Sequence, residues 1–216
     1  KYDVLAGFVD TSSYDTHIAD NDIHVTAAQK TAWSGKQDAI ADLSDISGHW
    51  AESNITTLVD ANVINGFPDG TFRPNDTITK AQFLKLLMSA SVPSWYDIAG
   101  EYKNPEHWAI PYVNLANTYN IVPYGELTTE NLDEPATRKE MAIWMAKADL
   151  MMLQHDFNTN SVLSFDDLAD YNNEELSWLN HTVASGLING YPDNTFGGEK
   201  NLTRAEAATV IYRYTR

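Results

Sequence analysis

Apolar residues along the chain fall at helical spacing in stretches that share one design. In the first, Ile55, Leu58, Val59 and Val63 follow Trp50 at the intervals of a single helix face, the stripe that an amphipathic helix buries. Gly66 stands where that helix would stop, since glycine enters the left-handed conformation at no steric cost. The next residues, Phe67-Pro68-Asp69-Gly70-Thr71-Phe72, read as a turn. Proline fixes φ, the aspartate bonds its own backbone, and Gly70 supplies φ > 0. Thr79, with Gln82 three residues on, has the form of a capping box opening a second helix. Phe83, Leu84, Leu86 and Leu87 supply its buried face.

The design recurs. His49-Trp50-Ala51 returns as His107-Trp108-Ala109, and Thr79-Lys80 returns at the same offset as Thr137-Arg138. Ile64-Asn65-Gly66-Phe67-Pro68-Asp69-Gly70-Thr71-Phe72 returns as Ile188-Asn189-Gly190-Tyr191-Pro192-Asp193-Asn194-Thr195-Phe196, and Thr79-Lys80-Ala81-Gln82 as Thr203-Arg204-Ala205-Glu206. Val210 and Ile211 continue that last helix. The second repeat keeps its cap, Thr137 with Glu140, but shows Pro123-Tyr124-Gly125 in place of the turn. Residues 91–103 and 154–164 have the composition of linkers. A helical hairpin of about 50 residues cannot bury its own apolar face, whereas three packed together can. The chain is therefore read as mostly α: an N-terminal segment over 1–42, then repeats over 43–92, 93–154 and 155–216.

Composition narrows the function. Asp plus Glu number 30 against 14 Lys plus Arg, a formal charge of −16 in 216 residues. That field repels duplex nucleic acid and anionic membranes alike, so neither is expected as a partner. No apolar run has the length of a membrane span, and no membrane insertion is expected. The absence of cysteine excludes disulfides, thiol catalysis and cysteine-based zinc sites. There is no G-x-S-x-G elbow, H-E-x-x-H helix or phosphate loop, and the acidic residues are scattered or turn-forming. No catalytic residues, cofactor or metal are expected. The chain begins at Lys1 without a recognisable signal peptide or a Met, as a fragment would.

One position in each repeat carries candidate chemistry. Lys80, Arg138 and Arg204 follow their capping threonines and so occupy the first helical position. A cation there opposes the helix macrodipole, and three repeats accept that cost. An outside anion, held by free helix N–H groups and the cation, accounts for it. The alternative is a structural bridge to Glu206, Glu140 or a neighbouring aspartate. Trp50 and Trp108 suit stacking on a sugar ring, but burial preferences favour the core. In the third repeat Glu174 stands where Trp50 does, with Trp178 and Tyr171 as substitutes. Asp45 and Asp167 precede the first helices, either as ligand groups or as caps. Gly66, Phe67, Gly190 and Tyr191 line grooves or shape the turn.

Leu43-Ser44-Asp45, His49-Trp50-Ala51, Asn65 to Phe72 and Ile78-Thr79-Lys80-Ala81-Gln82 together resemble the S-layer homology repeat. Phe165-Asp166-Asp167, Asn189 to Phe196 and Leu202-Thr203-Arg204-Ala205-Glu206 resemble it again. The resemblance covers residues 43–216. It implies a pseudo-threefold, three-pronged helical domain that binds secondary cell wall polysaccharide, commonly with a pyruvylated sugar, in grooves between repeats. Some relatives are thought to bind peptidoglycan modified by a polyamine instead. Implied ligand-binding residues are Lys80, Arg138, Arg204, Asp45, Asp167, Trp50, Trp108, Gly66, Gly190, Tyr191, Gln82 and Glu206. The implied location is the extracellular surface of a bacterium. Lys80 departs from the family arginine and the second repeat from the family turn, so equal grooves are not expected.

The first forty residues differ in character. Thr26 with Gln29 forms a capping box, and Trp33, Ile40 and Leu43 share a helix face. Residues 15–33 are similar to a segment of phage and prophage tail-fibre proteins. This implies a host-recognition tip and a homotrimer, the alternative to a surface anchor; a purely structural assembly piece is the third reading. His17 and His24 with Asp15, Asp20 and Asp22 match no metal-ligand spacing and read as a solvated turn.

Overall fold

The computed structural model describes residues 43–61, 63–93, 96, 98, 106–159 and 163–216. The chain divides into Lys1–Asp42 and Leu43–Arg216. The Thr26 capping box, the Trp33–Ile40 face, the His17/His24 cluster and the tail-fibre-like stretch lie outside the described residues. The second unit is helical, as read: α1 (Glu52–Asp60), α2 (Lys80–Ser91), α3 (Ile110–Thr118), α4 (Arg138–Met151), α5 (Asn173–Ala184) and α6 (Arg204–Tyr214). Among the described residues extended pairing is limited to isolated bridges.

The capping boxes form as the sequence predicts. Thr79, Thr137 and Thr203 each accept the N–H of the third helical residue, and Gln82, Glu140 and Glu206 bond back to the cap N–H. Ile55, Leu58 and Val59 are buried on α1; Phe83, Leu84, Leu87 and Met88 on α2, with Leu86 only half-buried. Val63 falls beyond the end of α1. The Phe83 ring stacks on Trp144 of α4 at 6.3 Å between centroids.

Packing follows a closed order. α3 lies against α2, α5 against α4, and α1 against α6, so each repeat sets its first helix on the second helix of the preceding repeat, and the first repeat on the last. The backbone closes the same circle. Ile78 N–H donates to the Leu202 carbonyl (3.0 Å), Leu202 N–H to Ala136 (2.9 Å), and Ala136 N–H to Ile78 (2.9 Å). All three residues are buried, so deleting any one repeat leaves buried backbone groups unpaired.

The turn forms as the sequence predicts. Phe67 N–H donates to the Thr71 carbonyl at 2.7 Å, Asp69 accepts from the Thr71 N–H and hydroxyl, and Gly70 has φ +77°. In the third repeat Asn194 takes the same left-handed conformation at φ +63°. The role read for Gly66 is corrected. α1 ends at Asp60, capped by Ala61, and Gly66 is not among the residues with positive φ. Glycine is needed there for space: a Cβ would sit 2.4 Å from Leu43 Cδ2, and at Gly190 2.1 Å from the Phe165 ring.

Asp45 and Asp167 are not helix caps. Asp45 accepts from the Phe72 and Arg73 N–H groups, both at 2.7 Å. Asp167 accepts from Phe196 (2.8 Å) and Gly197 (2.7 Å). Each carboxylate pins the exit of its turn to the start of its repeat. Asp45→Ala is expected to destabilise the domain by about 1–2 kcal/mol, two charge-assisted bonds discounted for solvent exposure, with a lowered urea midpoint as the readout.

Candidate functional site: the junctions between repeats

Each first-position cation reaches across to the turn of the next repeat, so every candidate site is a junction of two repeats. Arg138 of α4 donates through Nε to the Phe196 carbonyl (2.8 Å) and through Nη2 to the Asn189 carbonyl, both in the third repeat. Its guanidinium lies over the Tyr191 ring (4.7 Å) and the Phe196 ring (5.1 Å). Arg204 of α6 does the same to the first repeat. Nε donates to the Phe72 carbonyl (2.8 Å), and the guanidinium lies over Phe67 (4.7 Å) and Phe72 (4.6 Å). Burial pushes the pKa of both arginines down, with Asp76 opposing it at Arg204 and Tyr191 and Glu206 at Arg138.

Lys80 meets the second repeat, which lacks the aromatic turn. Its ammonium pairs with Glu134 (2.9 Å) and Glu140 (3.3 Å). Burial opposes the charge, but the two carboxylates hold its pKa up. The replacement of arginine and the loss of the turn are therefore two sides of one junction. An arginine fork needs carbonyls and rings to frame it; without them a lysine with two glutamates closes the gap.

The expectation of free helix N–H groups is corrected. Lys80 and Ala81 N–H donate to the Glu134 and Leu132 carbonyls, Arg138 and Lys139 to Lys200 and Gly198, and Arg204 and Ala205 to Asp76 and Pro74. The capping threonines take the third N–H of each helix. Any anion at these junctions is held by side chains, not by helix ends.

What remains uncommitted is on Arg204. Only its Nε has a hydrogen-bond partner among the described residues, which leaves both Nη groups as donors. The residue lines a cavity of about 730 Å³ together with Asn65, Gln82, Lys85, Trp108 and Tyr112. Arg138, by contrast, is 7% exposed and has two backbone acceptors.

The preference for a buried tryptophan is also corrected. Trp50 is 64% exposed and Trp108 46%. The paired histidine explains this: His49 and His107 fold back to accept the Ala51 and Ala109 N–H groups, turning the following indole outward. Trp108 reaches the same cavity as Arg204, while Trp50 is not among its lining residues. In the third repeat Trp178 donates to Glu174 (3.2 Å) and packs edge-on to Phe157. Of the remaining predicted residues, Gln82 combines its capping role with a place on the cavity wall. Glu206 bonds Thr203 and accepts from the Tyr191 hydroxyl at 3.2 Å. Gly66 and Gly190 act through close packing. Sequence reading missed Lys85, Tyr96 and Tyr112 as cavity residues, and the rings of Phe72 and Phe196 as seats for the arginines. The recurrence of an aromatic at both ends of the turn was the available signal.

The family model of the S-layer homology domain matches residues 42–84 and 181–208. The chain is 28% identical over 162 residues to a cellulosome-anchoring protein of Acetivibrio thermocellus, covering 71% of this chain and 35% of that protein. It is 28% identical over 172 residues to S-layer protein EA1 of Bacillus anthracis, covering 76% of this chain and 19% of that one. A third relative, an amylopullulanase of Thermoanaerobacterium thermosulfurigenes, is 27% identical over 175 residues, which are 78% of this chain but 9% of the enzyme. The chain thus spans a third or less of most of the curated relatives it matches, one of which is named as an anchoring protein and another as an S-layer protein. No described helix is long and apolar enough to cross a membrane.

Proposed function

We propose that this chain, which the S-layer homology domain model matches over residues 42–84 and 181–208, is a non-catalytic module that holds a larger protein on the bacterial surface by binding an anionic cell wall polysaccharide between its repeats. The observation that carries this reading is Arg204: a half-buried guanidinium with uncommitted Nη donors, facing a cavity rimmed by an exposed indole. A carboxylate-bearing sugar, such as a pyruvylated one, satisfies both features. The acid group takes the guanidinium fork and the pyranose lies on Trp108. The cyclic helix order supports the pseudo-threefold arrangement that would place such junctions around one axis.

The net charge of −16 opposes an anionic polymer only at long range, because screening limits that field to about 8 Å at physiological salt. Raising salt from a low value is therefore expected to leave binding unchanged or improve it. The direct test is a pull-down on purified wall sacculi before and after hydrofluoric acid removes the secondary polymer. Loss of binding with the polymer is the expected result. Binding that survives stripping would replace the ligand with peptidoglycan or a modification of it, and no binding to either would favour an assembly role.

A further inference from the structure

We infer that the two Asn-Gly steps of the chain, Asn65-Gly66 and Asn189-Gly190, are sites of spontaneous deamidation, and that at Asn65 the product places a negative charge at the Arg204 junction, against an external anion. The part concerning the junction rests on the proposed function; the chemistry does not. Both asparagines are exposed, and neither side chain has a hydrogen-bond partner among the described residues. The N–H groups of Gly66 and Gly190 donate no hydrogen bond among the described residues either, so the attacking nitrogen is not engaged. Glycine at the following position removes the side chain that would hinder attack. Packing holds that glycine in place, since a Cβ would meet Leu43 at Gly66 and the Phe165 ring at Gly190. The labile step is thereby built into the turn that each arginine faces.

The reaction needs only water. The Gly190 nitrogen attacks Cγ of Asn189, a C–N bond forms, the nitrogen loses its proton, and the side-chain amide leaves as ammonia. Water then opens the succinimide at either carbonyl. Opening at the side-chain carbonyl gives aspartate. Opening at the main-chain carbonyl gives isoaspartate: the chain then runs through the former side chain, and the former main-chain carbonyl becomes a free carboxylate. That carbonyl is the group to which Arg138 Nη2 donates. A neutral acceptor becomes an anion within reach of the buried guanidinium, a charge-assisted pair that tightens a junction already closed. Asn65 and Arg204 line one cavity, so aspartate or isoaspartate at 65 adds a negative charge beside the anion proposed to bind there.

The whole chain, aged in mildly alkaline buffer with a mildly acidic control, is digested and labelled with isoaspartyl methyltransferase. Label is expected in the peptides carrying residues 65 and 189, more at alkaline pH because the attacking nitrogen must lose its proton, and Asn189→Gln should remove the second signal alone. Aged chain is expected to bind wall sacculi about tenfold more weakly than fresh chain, the worth of one charge-assisted bond, while an Asn65→Gln/Asn189→Gln double variant keeps its affinity through ageing. Absence of isoaspartate at both steps overturns the modification. Isoaspartate with undiminished binding overturns its effect on the junction. Fresh chain that does not bind sacculi overturns the proposed function and the junction claim with it, while the labelling still decides the chemistry.

Discussion

Arg204→Ala is expected to weaken binding to the wall polymer by about tenfold to a hundredfold, with the helical signature of the domain retained. The size follows from the loss of about one charge-assisted hydrogen bond, worth about 1.5–3 kcal/mol, at 1.4 kcal/mol per factor of ten. Arg204→Lys keeps the charge but loses the fork and the flat contact with Phe67 and Phe72, so it should recover only part of the loss. The informative control is Lys80→Ala. Lys80 already pairs with Glu134 and Glu140, so removing it should scarcely change affinity, although it leaves Glu140 with only its bonds to Thr137. Titration calorimetry with solubilised polymer separates these outcomes. Equal losses from Lys80→Ala and Arg204→Ala would show that the ligand does not distinguish the junctions, and the assignment to Arg204 would fall.

Features confined to a few consecutive residues were legible in the sequence. The three capping boxes and the Pro-Asp-Gly turn appear as read, because each is a local bargain between a side chain and the backbone beside it. Features set between repeats were not. The helix N–H groups look free when one repeat is considered alone and are all taken once its neighbour is present. Gly66 has the form of a helix stop, yet its reason lies in the distant side chain of Leu43. Trp50 has the hydrophobicity of a core residue, but a histidine bonding the backbone ahead of it turns the ring to solvent. The candidate cations were found from their offset alone. Their different settings were hidden because the acceptor of each lies about fifty or more residues away.

A second large effect belongs to a cluster that no sequence period announces. Asp149, on α4 and 5% exposed, accepts from Nε2 of the fully buried His181 on α5 (2.9 Å) and bonds His155 Nδ1 (2.8 Å). The Asn158 N–H can only donate, so His181 Nδ1 accepts it (2.9 Å) and the proton of the neutral ring sits on Nε2, aimed at the carboxylate. Phe157 stacks on the same imidazole at 5.3 Å. One aspartate therefore ties α4, α5 and the segment between them. Asp149→Ala strands a buried ring N–H, worth about 1–3 kcal/mol, and opens a small void, for a total of about 2–4 kcal/mol. Against a typical domain stability of about 5–15 kcal/mol, that loss should be plain in urea unfolding at neutral pH. Asp149→Asn keeps an acceptor for His181 and should cost less. Acid unfolding supplies the independent signature. Burial pushes the Asp149 carboxyl up, but the bonds from His181 and His155 outweigh it and hold the pKa below its ordinary 3.8. The folded state thus binds this proton less readily than the unfolded chain. Its contribution is fully present above about pH 4–5 and is lost as pH falls through the folded value. Wild type should lose stability steeply over that acid range, and Asp149→Asn, with nothing to titrate there, should show a shallower slope. Equal slopes in the two proteins would mean that Asp149 does not carry the acid sensitivity of the fold.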